Sequence, residues 1–434
     1  MKKFYDVIIV GGGAAGCAAA YTAGKLGMRV LLLEKRGVLG GSMTSGLVIP
    51  AMKSSKNQIN TVFYKKLVSE MSKIKGQVTY QNNPGWFNPE LMKIVLDNIM
   101  LEAGVDVLFN ACIKDISLKG RLIESVTIYN ELLSVYNYAI EKLGKTLSVS
   151  IGARYVVDTT GNCEIGKILN CKFLQNEKEV QPFSLRFIMS GIKLKTFSRW
   201  LLDTDSDREV TSVEVIEGDI HLSTACTWDN SRKWALRELF DDAVRNGVLK
   251  PSDINYFQVF TIPGMPNSLA FNCPRIVDFN CNIDIETTSK ALTEARKAIL
   301  RLTSFCKEYF PGFENAYISN ISDMLGIRVS RRIKGKYVYK MDDIVSGKKF
   351  SNPVAIADYP IDVHSKDKNG SALTKVQDYE IPIESLISDD IDNLFVAGRC
   401  ISCDFMAQGA IRIQPTCFSM GEGLAKYIKK LLDV

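Results

Sequence analysis

An α/β fold is what the sequence predicts: a parallel sheet flanked by helices, interrupted by an inserted α+β domain. Three observations carry it. A β-branched run at residues 5–10 leads through glycines and small residues to a second apolar run at 28–33, a strand–helix–strand unit whose crossover must be right-handed. The same texture returns near residue 392, where Leu394-Phe395-Val396-Ala397 reads as a buried strand before glycines and a helix from Pro415 to the end. Between the two, from about Pro182, longer strands, loops and two well-marked helices replace that pattern. The expected division is therefore residues 1–181 with 389–434 as one discontinuous domain, and 182–388 as the insert.

The first strand is short, branched and bounded by glycine, as a buried parallel strand should be. Its helix runs over residues 14–27, small at first, then amphipathic, and ends in Lys25-Leu26-Gly27. Ile59, Val62, Phe63, Leu67 and Met71 share one face of a further helix. Asn88-Pro89 opens another, with Asn as N-cap and Pro in the first turn, and Gly104 stops it. Strands alternate over residues 105–130; residues 131–143 fit helix or strand equally; residues 153–158 form a further buried strand ending in Thr159-Thr160-Gly161. The insert carries helices expected from Ser231 to before Gly247 and from Thr288 to about Tyr309.

A chain of 434 residues that is 46% hydrophobic and 24% charged can bury one large core and a smaller one. Its net charge of +6 is spread widely, and no Lys/Arg run exceeds a pair, so nucleic acid is not an expected partner. Lys2 and Lys3 precede an apolar run in the manner of a signal peptide, but glycines at 11–13 break it at once. No uninterrupted apolar stretch of about 18 residues exists, so neither export nor a membrane span is expected. Eleven cysteines without the paired spacings of a disulfide framework read as reduced thiols, and the expected location is the cytoplasm. Oligomeric state is not legible.

Gly11-x-Gly13-x-x-Gly16 falls between the first strand and its helix, the context in which a glycine triplet binds a dinucleotide. The first glycine permits the turn, the second admits the pyrophosphate, and the third lets the helix pack closely. The helix N-terminus offers unpaired N–H groups and positive dipole to phosphate. Glu34 closes the second strand 18 residues after Gly16, where a carboxylate accepts hydrogen bonds from a ribose.

After Glu34 comes Lys35-Arg36-Gly37-Val38-Leu39-Gly40-Gly41-Ser42-Met43-Thr44-Ser45-Gly46, which resembles the second glycine cluster of FAD enzymes of the glutathione-reductase structural class. Farther on stand Asn88-Pro89-Glu90-Leu91, Val156-Val157-Asp158-Thr159-Thr160-Gly161-Asn162, Gln181-Pro182-Phe183-Ser184-Leu185, Pro311-Gly312-Phe313-Glu314-Asn315-Ala316 and Ser330-Arg331-Arg332-Ile333. They are followed by Tyr359-Pro360-Ile361-Asp362-Val363-His364, Asn393-Leu394-Phe395-Val396-Ala397-Gly398-Arg399-Cys400-Ile401-Ser402 and Gln408-Gly409-Ala410-Ile411-Arg412. This ordered series, covering nearly the whole chain, resembles the bacterial FAD-dependent oxidoreductase family.

The resemblance implies a Rossmann-type domain holding FAD non-covalently through Gly11, Gly13, Ala15, Gly16, Glu34, Gly40, Gly41, Thr44, Thr160, Gly161, Gly398, Arg399 and Ile411. The stretches beside them add Ala14, Lys35, Ser42, Met43, Ile113 and Gly409. Glu164 matches an acidic residue the family often has after its Thr-Gly pair, in an unsettled register. The helix opened by Gln414-Pro415 would stabilise negative charge on reduced flavin. Only His221 and His364 exist, and neither lies in a dinucleotide segment, so no covalent anchor is expected. No second glycine fingerprint for NAD(P)H is present.

Three motifs compete for the chemistry. If residues 327–333 form a strand, period two puts Arg331 on the apolar face, where a substrate carboxylate or a structural acid must meet it. Arg328, a second catalytic candidate in the motif, falls with Arg332 on the opposite parity, which points to solvent. His364 shares a strand face with Asp362 and is either the proton carrier for hydride transfer or a hydrogen-bonded structural residue. Cys400-x-x-Cys403 lies beside the expected flavin, but a strand-exit loop gives no helix N-terminus to activate a thiol, so an incidental pair is favoured. No further Cys/His cluster supports a metal. The expected reaction is hydride transfer between flavin and a small organic substrate across a C–C or C–N bond. The rivals are an oxygen-using monooxygenase or oxidase and an electron-transfer subunit; the latter would usually show iron–sulfur spacing, which is missing.

Overall fold

A computed structural model of the chain describes residues 2–130, 148–175, 179–227, 232–277, 284–364, 371–374 and 376–434. The segment that fitted helix or strand equally, 131–143, lies outside the described residues, as does Ser231.

Strand β1 (Phe4–Val10) pairs in parallel with β2 (Val30–Leu33) on one side and with Ser148–Asp158 on the other. Asp106–Leu108 continues the parallel order beyond β2, and Leu394–Val396 pairs in parallel with residues 156–158. Leu122–Asn130 and Ala111–Lys119 then extend the sheet antiparallel. The sheet is thus mixed, where a parallel one was expected. The reason is local: only Gly120-Arg121 separates the last two strands, and so short a link makes a hairpin, whereas a parallel pair needs a long crossover. The parallel part is the part that meets the glycine triplet.

Helix α1 (Ala14–Lys25) is built from small buried residues, Ala15, Ala18 and Ala19 among them, because it packs face to face with the C-terminal helix Gln414–Leu432. The approach is so close that a Cβ on Gly421 would lie 2.2 Å from the Ala15 carbonyl oxygen. Residues at the two ends of the chain thereby share one core.

A second, wholly antiparallel sheet runs in the order Ser212–Ile216, Asp219–Thr227, Tyr256–Thr261, Ser268–Phe271, Phe187–Ser190, Tyr317–Ile321. Period-two alternation divides its faces. Leu222, Cys226, Phe257, Val259, Leu269 and Phe271 point into a core shared with the helices Leu194–Thr204, Arg237–Arg245 and Ile285–Tyr309. Ser223, Ala225, Tyr256 and Gln258 point the other way, toward the first domain. Within the expected insert, Ile333, Tyr339, Val354, Ile361, Tyr379 and Ile381 pack with the nucleotide-domain core, as do Ile188, Phe260, Ile262 and Ala270.

The cap expected at Asn88 is present: its Oδ1 accepts from the N–H groups of Glu90 and Leu91. The helix expected from Thr288 begins three residues earlier, at Ile285, because Asp284 caps it, and the one expected from Ser231 is the helix Arg237–Arg245. A short helix, Phe405–Ile411, precedes the C-terminal one and was not anticipated. The segment 327–333 is no ladder strand; isolated bridges such as Phe173 with Ile333 hold it. Parity therefore fails there. Arg332, expected in solvent, is fully buried, donating to the carbonyls of Cys403 and Leu174 at 2.9 Å each and pairing with Glu179.

Candidate active site

One cavity of about 1140 Å³ runs from the glycine triplet of the first domain to the inner face of the antiparallel sheet. At its first end, Gly13 caps α1 with extended backbone and no side chain, so the helix N-terminus opens directly onto the space. A Cβ on Gly13 would meet no protein atom within 4 Å; one on Gly16 would lie 1.9 Å from the Gly11 carbonyl oxygen. Gly13 leaves open space at the cavity, and Gly16 is a packing glycine.

Glu34 is buried at this end. Its Oε2 accepts from Gly12 N–H at 2.7 Å and its Oε1 from Arg36 N–H at 2.9 Å. Burial pushes the carboxyl above its ordinary range, opposed by those two hydrogen bonds. The Thr160-Gly161 turn is held beside Gly11 by two devices. Thr159 Oγ1 donates to the Gly11 carbonyl at 2.6 Å, and fully buried Asp158 accepts from Thr160 N–H at 3.0 Å and Ile165 N–H at 2.8 Å. Gly398 and Arg399, at the exit of the strand Leu394–Val396, complete this wall. The N-terminus of the C-terminal helix, also without a side-chain cap, reaches the cavity at Ile413 and Gln414.

A model of the FAD dependent oxidoreductase family matches residues 6–429. The chain belongs to that family. This FAD-dependent oxidoreductase is 28% identical over 163 residues to a thiamine thiazole synthase of Methanococcus vannielii, covering 36% of this chain and 56% of that protein. It is 42% identical over 69 residues to a mitochondrial dihydrolipoyl dehydrogenase of Dictyostelium discoideum, covering 16% and 13% respectively. The oxidoreductase thus spans about half the length of the first relative and a small part of the second. Among solved structures, a geranylgeranyl bacteriochlorophyll reductase-like protein of Thermoplasma acidophilum aligns over 99% of this chain and 79% of its own, at 13% identity and a TM-score of 0.47. A flavin-dependent brominase aligns over 99% and 80%, at 12% identity and 0.47.

FAD, the family's cofactor, fits the residues present. The open cradle at Gly13, two uncapped helix N-termini and a buried carboxylate in ribose position are the complement of a pyrophosphate, a flavin and a ribose. Of the residues expected to hold it, Gly11, Gly13, Ala14, Ala15, Glu34, Lys35, Gly41, Ser42, Ile113, Thr160, Gly161, Gly398 and Arg399 line the cavity. Gly16, Gly40, Met43, Thr44, Gly409 and Ile411 do not line it. Thr44 instead donates to the Leu39 carbonyl and shapes the second glycine loop. A Cβ on Gly409 would come 3.0 Å from the Asp362 carbonyl oxygen, so that glycine seats the helix Phe405–Ile411 on the strand Ile361–His364. Glu164 lines the cavity.

Of the catalytic candidates, the structure brings Arg328 to the cavity, where Nη1 donates to the Pro182 carbonyl at 2.6 Å. Arg331 does not line it; its Nη1 donates to the Asn162 carbonyl at 3.3 Å. The side chain of His364 lies outside what the structure describes; its backbone ends the strand Ile361–His364. Cys400 and Cys403 are buried free thiols. Cys400 Sγ accepts from Cys163 N–H at 3.2 Å, while burial pushes the Cys403 thiol up to about 12.

Asp362, expected on the strand face of His364, and Tyr359, a lesser candidate of the same motif, line the far wall; sequence reasoning missed its other members, Arg186, Tyr256, Gln258, Asn272, Arg275 and Arg412. A signal existed in the alternation of Tyr256-Phe257-Gln258-Val259, polar toward one face. Arg186, Arg275 and Arg412 lie in short or irregular stretches, where no periodicity says which way a side chain turns. Among the described residues no helix is long and apolar enough to cross a membrane, and no cluster fit for a metal is found.

Proposed function

We propose that this oxidoreductase transfers a hydride between flavin and a small organic substrate held against the antiparallel sheet. The observation that carries the reading is the continuity of the cavity: Gly11, Gly13 and Glu34 line it together with Ser223, Gln258 and Arg275. Its volume exceeds the roughly 300–1,000 Å³ of ordinary small-molecule pockets, which leaves room for a dinucleotide and a second ligand. When bound, the flavin supplies the two-electron chemistry at its ring.

The protein's own residues bind, orient and exclude water. Arg328, from the extended stretch after Gly326, is a substrate contact in this reading, and Arg331 a structural neighbour of Asn162. His364 retains its proposed proton role from its place two residues after Asp362, which lines the cavity. Residues 1–181 and 389–434 form the FAD-binding part, joined by most of 333–388, and the insert proper supplies the substrate wall.

The test is anaerobic mixing of FAD-loaded protein with candidate organic donors, followed by re-oxidation with candidate acceptors. Bleaching of the visible flavin band by a donor, with stoichiometric appearance of its dehydrogenated product, is the expected result. Oxygenated product formed only in air would move the reaction to the monooxygenase class.

A further inference from the structure

Arg186, Arg275, Arg328 and Arg412 all enter the cavity on the side of the antiparallel sheet. They come from four separate stretches of chain, and each is within electrostatic reach of others in the group. Arg275 is only 8% exposed, stacks over the Tyr256 ring at 3.7 Å, and its Nε has no hydrogen-bond partner among the described residues. The Nε of Arg412 likewise has none. Arg186 spends Nε on the Asn272 amide oxygen at 2.8 Å. Three acids stand on this side, of which Glu209 is paired with Arg232 at 3.3 Å. Asp362 pairs with Arg412 at 3.3 Å, and Asp358 is held by burial and by nearby Asp378 above its ordinary range. The balance at this wall is strongly positive.

Like charges gathered in a half-dry cavity are costly, and a fold retains them where an anion answers them. The planar fork of guanidinium suits two oxygens at once. Phosphate sites are commonly made of backbone N–H groups at glycine turns and helix N-termini. Here the glycine turns and the N-terminus of α1 lie at the dinucleotide end, and the N-terminus of the C-terminal helix, which follows Arg412, is the one assigned above to the flavin. At the arginine wall the backbone of Tyr256 and Gln258 is tied into strand pairing, and Gln258 and Asn272 add side-chain amides.

We propose that the substrate is a small organic anion bearing two carboxylates, held by Arg186, Arg275, Arg328 and Arg412 opposite the flavin. This rests on the redox reading above. Arg275 and Arg412, whose Nε groups lack partners among the described residues, are the main anchors, with Gln258 and Asn272 setting the length of the chain between the carboxylates.

FAD-loaded protein is titrated with malonate, succinate, glutarate, acetate, inorganic phosphate and succinamide while the visible flavin band is followed. At least one dicarboxylate should perturb the band and bind at least tenfold more tightly than acetate. Succinamide should leave the band unchanged. Arg275→Gln and, separately, Arg186→Gln should each weaken that dicarboxylate at least tenfold with FAD content and circular dichroism unchanged. Two variants on separate stretches of chain guard against one that folds poorly. Binding of succinamide as tight as succinate, phosphate binding tighter than every dicarboxylate, no dicarboxylate bound, or wild-type affinity in both variants overturns the proposal. Protein that holds FAD and is bleached by dithionite yet fails these titrations loses the anion assignment and keeps the redox reading; protein that takes up no FAD loses both.

Discussion

Replacing Gly13 by valine should separate cofactor binding from folding, and the structure says why. Gly13 has φ −78 and ψ −168, an extended backbone that a β-branched residue adopts freely. A Cβ there meets nothing within 4 Å. The added side chain costs the apoprotein almost nothing and fills the space where phosphate would meet the N–H groups at the start of α1. Hydrogen bonds to a charged group are worth about 1.5–3 kcal/mol each, so displacing two weakens FAD by roughly a hundredfold to ten-thousandfold. Gly16→Val is the control of opposite character. Its Cβ would fall 1.9 Å from the Gly11 carbonyl oxygen and 2.6 Å from Thr159 Oγ1, both held in place by the sheet. Backbone must move, at a cost of about 1–3 kcal/mol or more, a large share of a stability of about 5–15 kcal/mol. The assay is the flavin-to-protein absorbance ratio after gel filtration, with thermal unfolding of each protein stripped of cofactor. Stripping matters because bound FAD itself raises the wild-type transition. Gly13→Val should be colourless with an unfolding temperature near that of the wild-type apoprotein, and Gly16→Val should unfold well below it. A soluble Gly13→Val protein with full FAD content would refute the reasoning, as would one that is badly folded.

Glu34→Gln should cost about 1–3 kcal/mol in chemical unfolding of the apoprotein, because one of the two backbone N–H groups it accepts must then face an amide donor; it should also weaken FAD, measured by fluorescence quenching. Burial lowers the pKa of His221 below 6.5. The unfolded chain therefore takes up the proton first as pH falls, and stability present above about pH 6.5 is lost as pH falls below it; Asn in place of His221 should remove that part of the pH slope in urea unfolding. An anaerobic dithionite titration should end at about one two-electron equivalent per flavin, and Cys403→Ala should not change it. Its thiol is buried and pushed up to about 12, and Cys400 is engaged with the Cys163 N–H; a second equivalent that disappears in the variant would establish a dithiol relay.

The nucleotide end was legible because its information is local. From β1 through the glycine triplet and α1 to Glu34, some thirty consecutive residues carry strand period, helix period, glycine spacing and acid in register, and each confirms the next. Cap residues such as Asn88 act within one helical turn and are likewise written in sequence. The roles of Gly16 and Gly409 are not visible at that range. Both are close approaches between elements, and a glycine reads the same whether it admits a phosphate or a neighbouring backbone. Arg331 and Arg332 show the other limit. Parity assigns sides only along a paired strand, and residues 327–333 are held by isolated bridges and by Arg332 reaching Cys403, Leu174 and Glu179. The arginine wall is the clearest case. Arg186 and Arg412 are more than two hundred residues apart in the chain, and their charges become neighbours only when the antiparallel sheet closes over the first domain. Electrostatic and packing energies depend on separation in space, and for such groups the sequence states the residue type while the tertiary fold decides the distance.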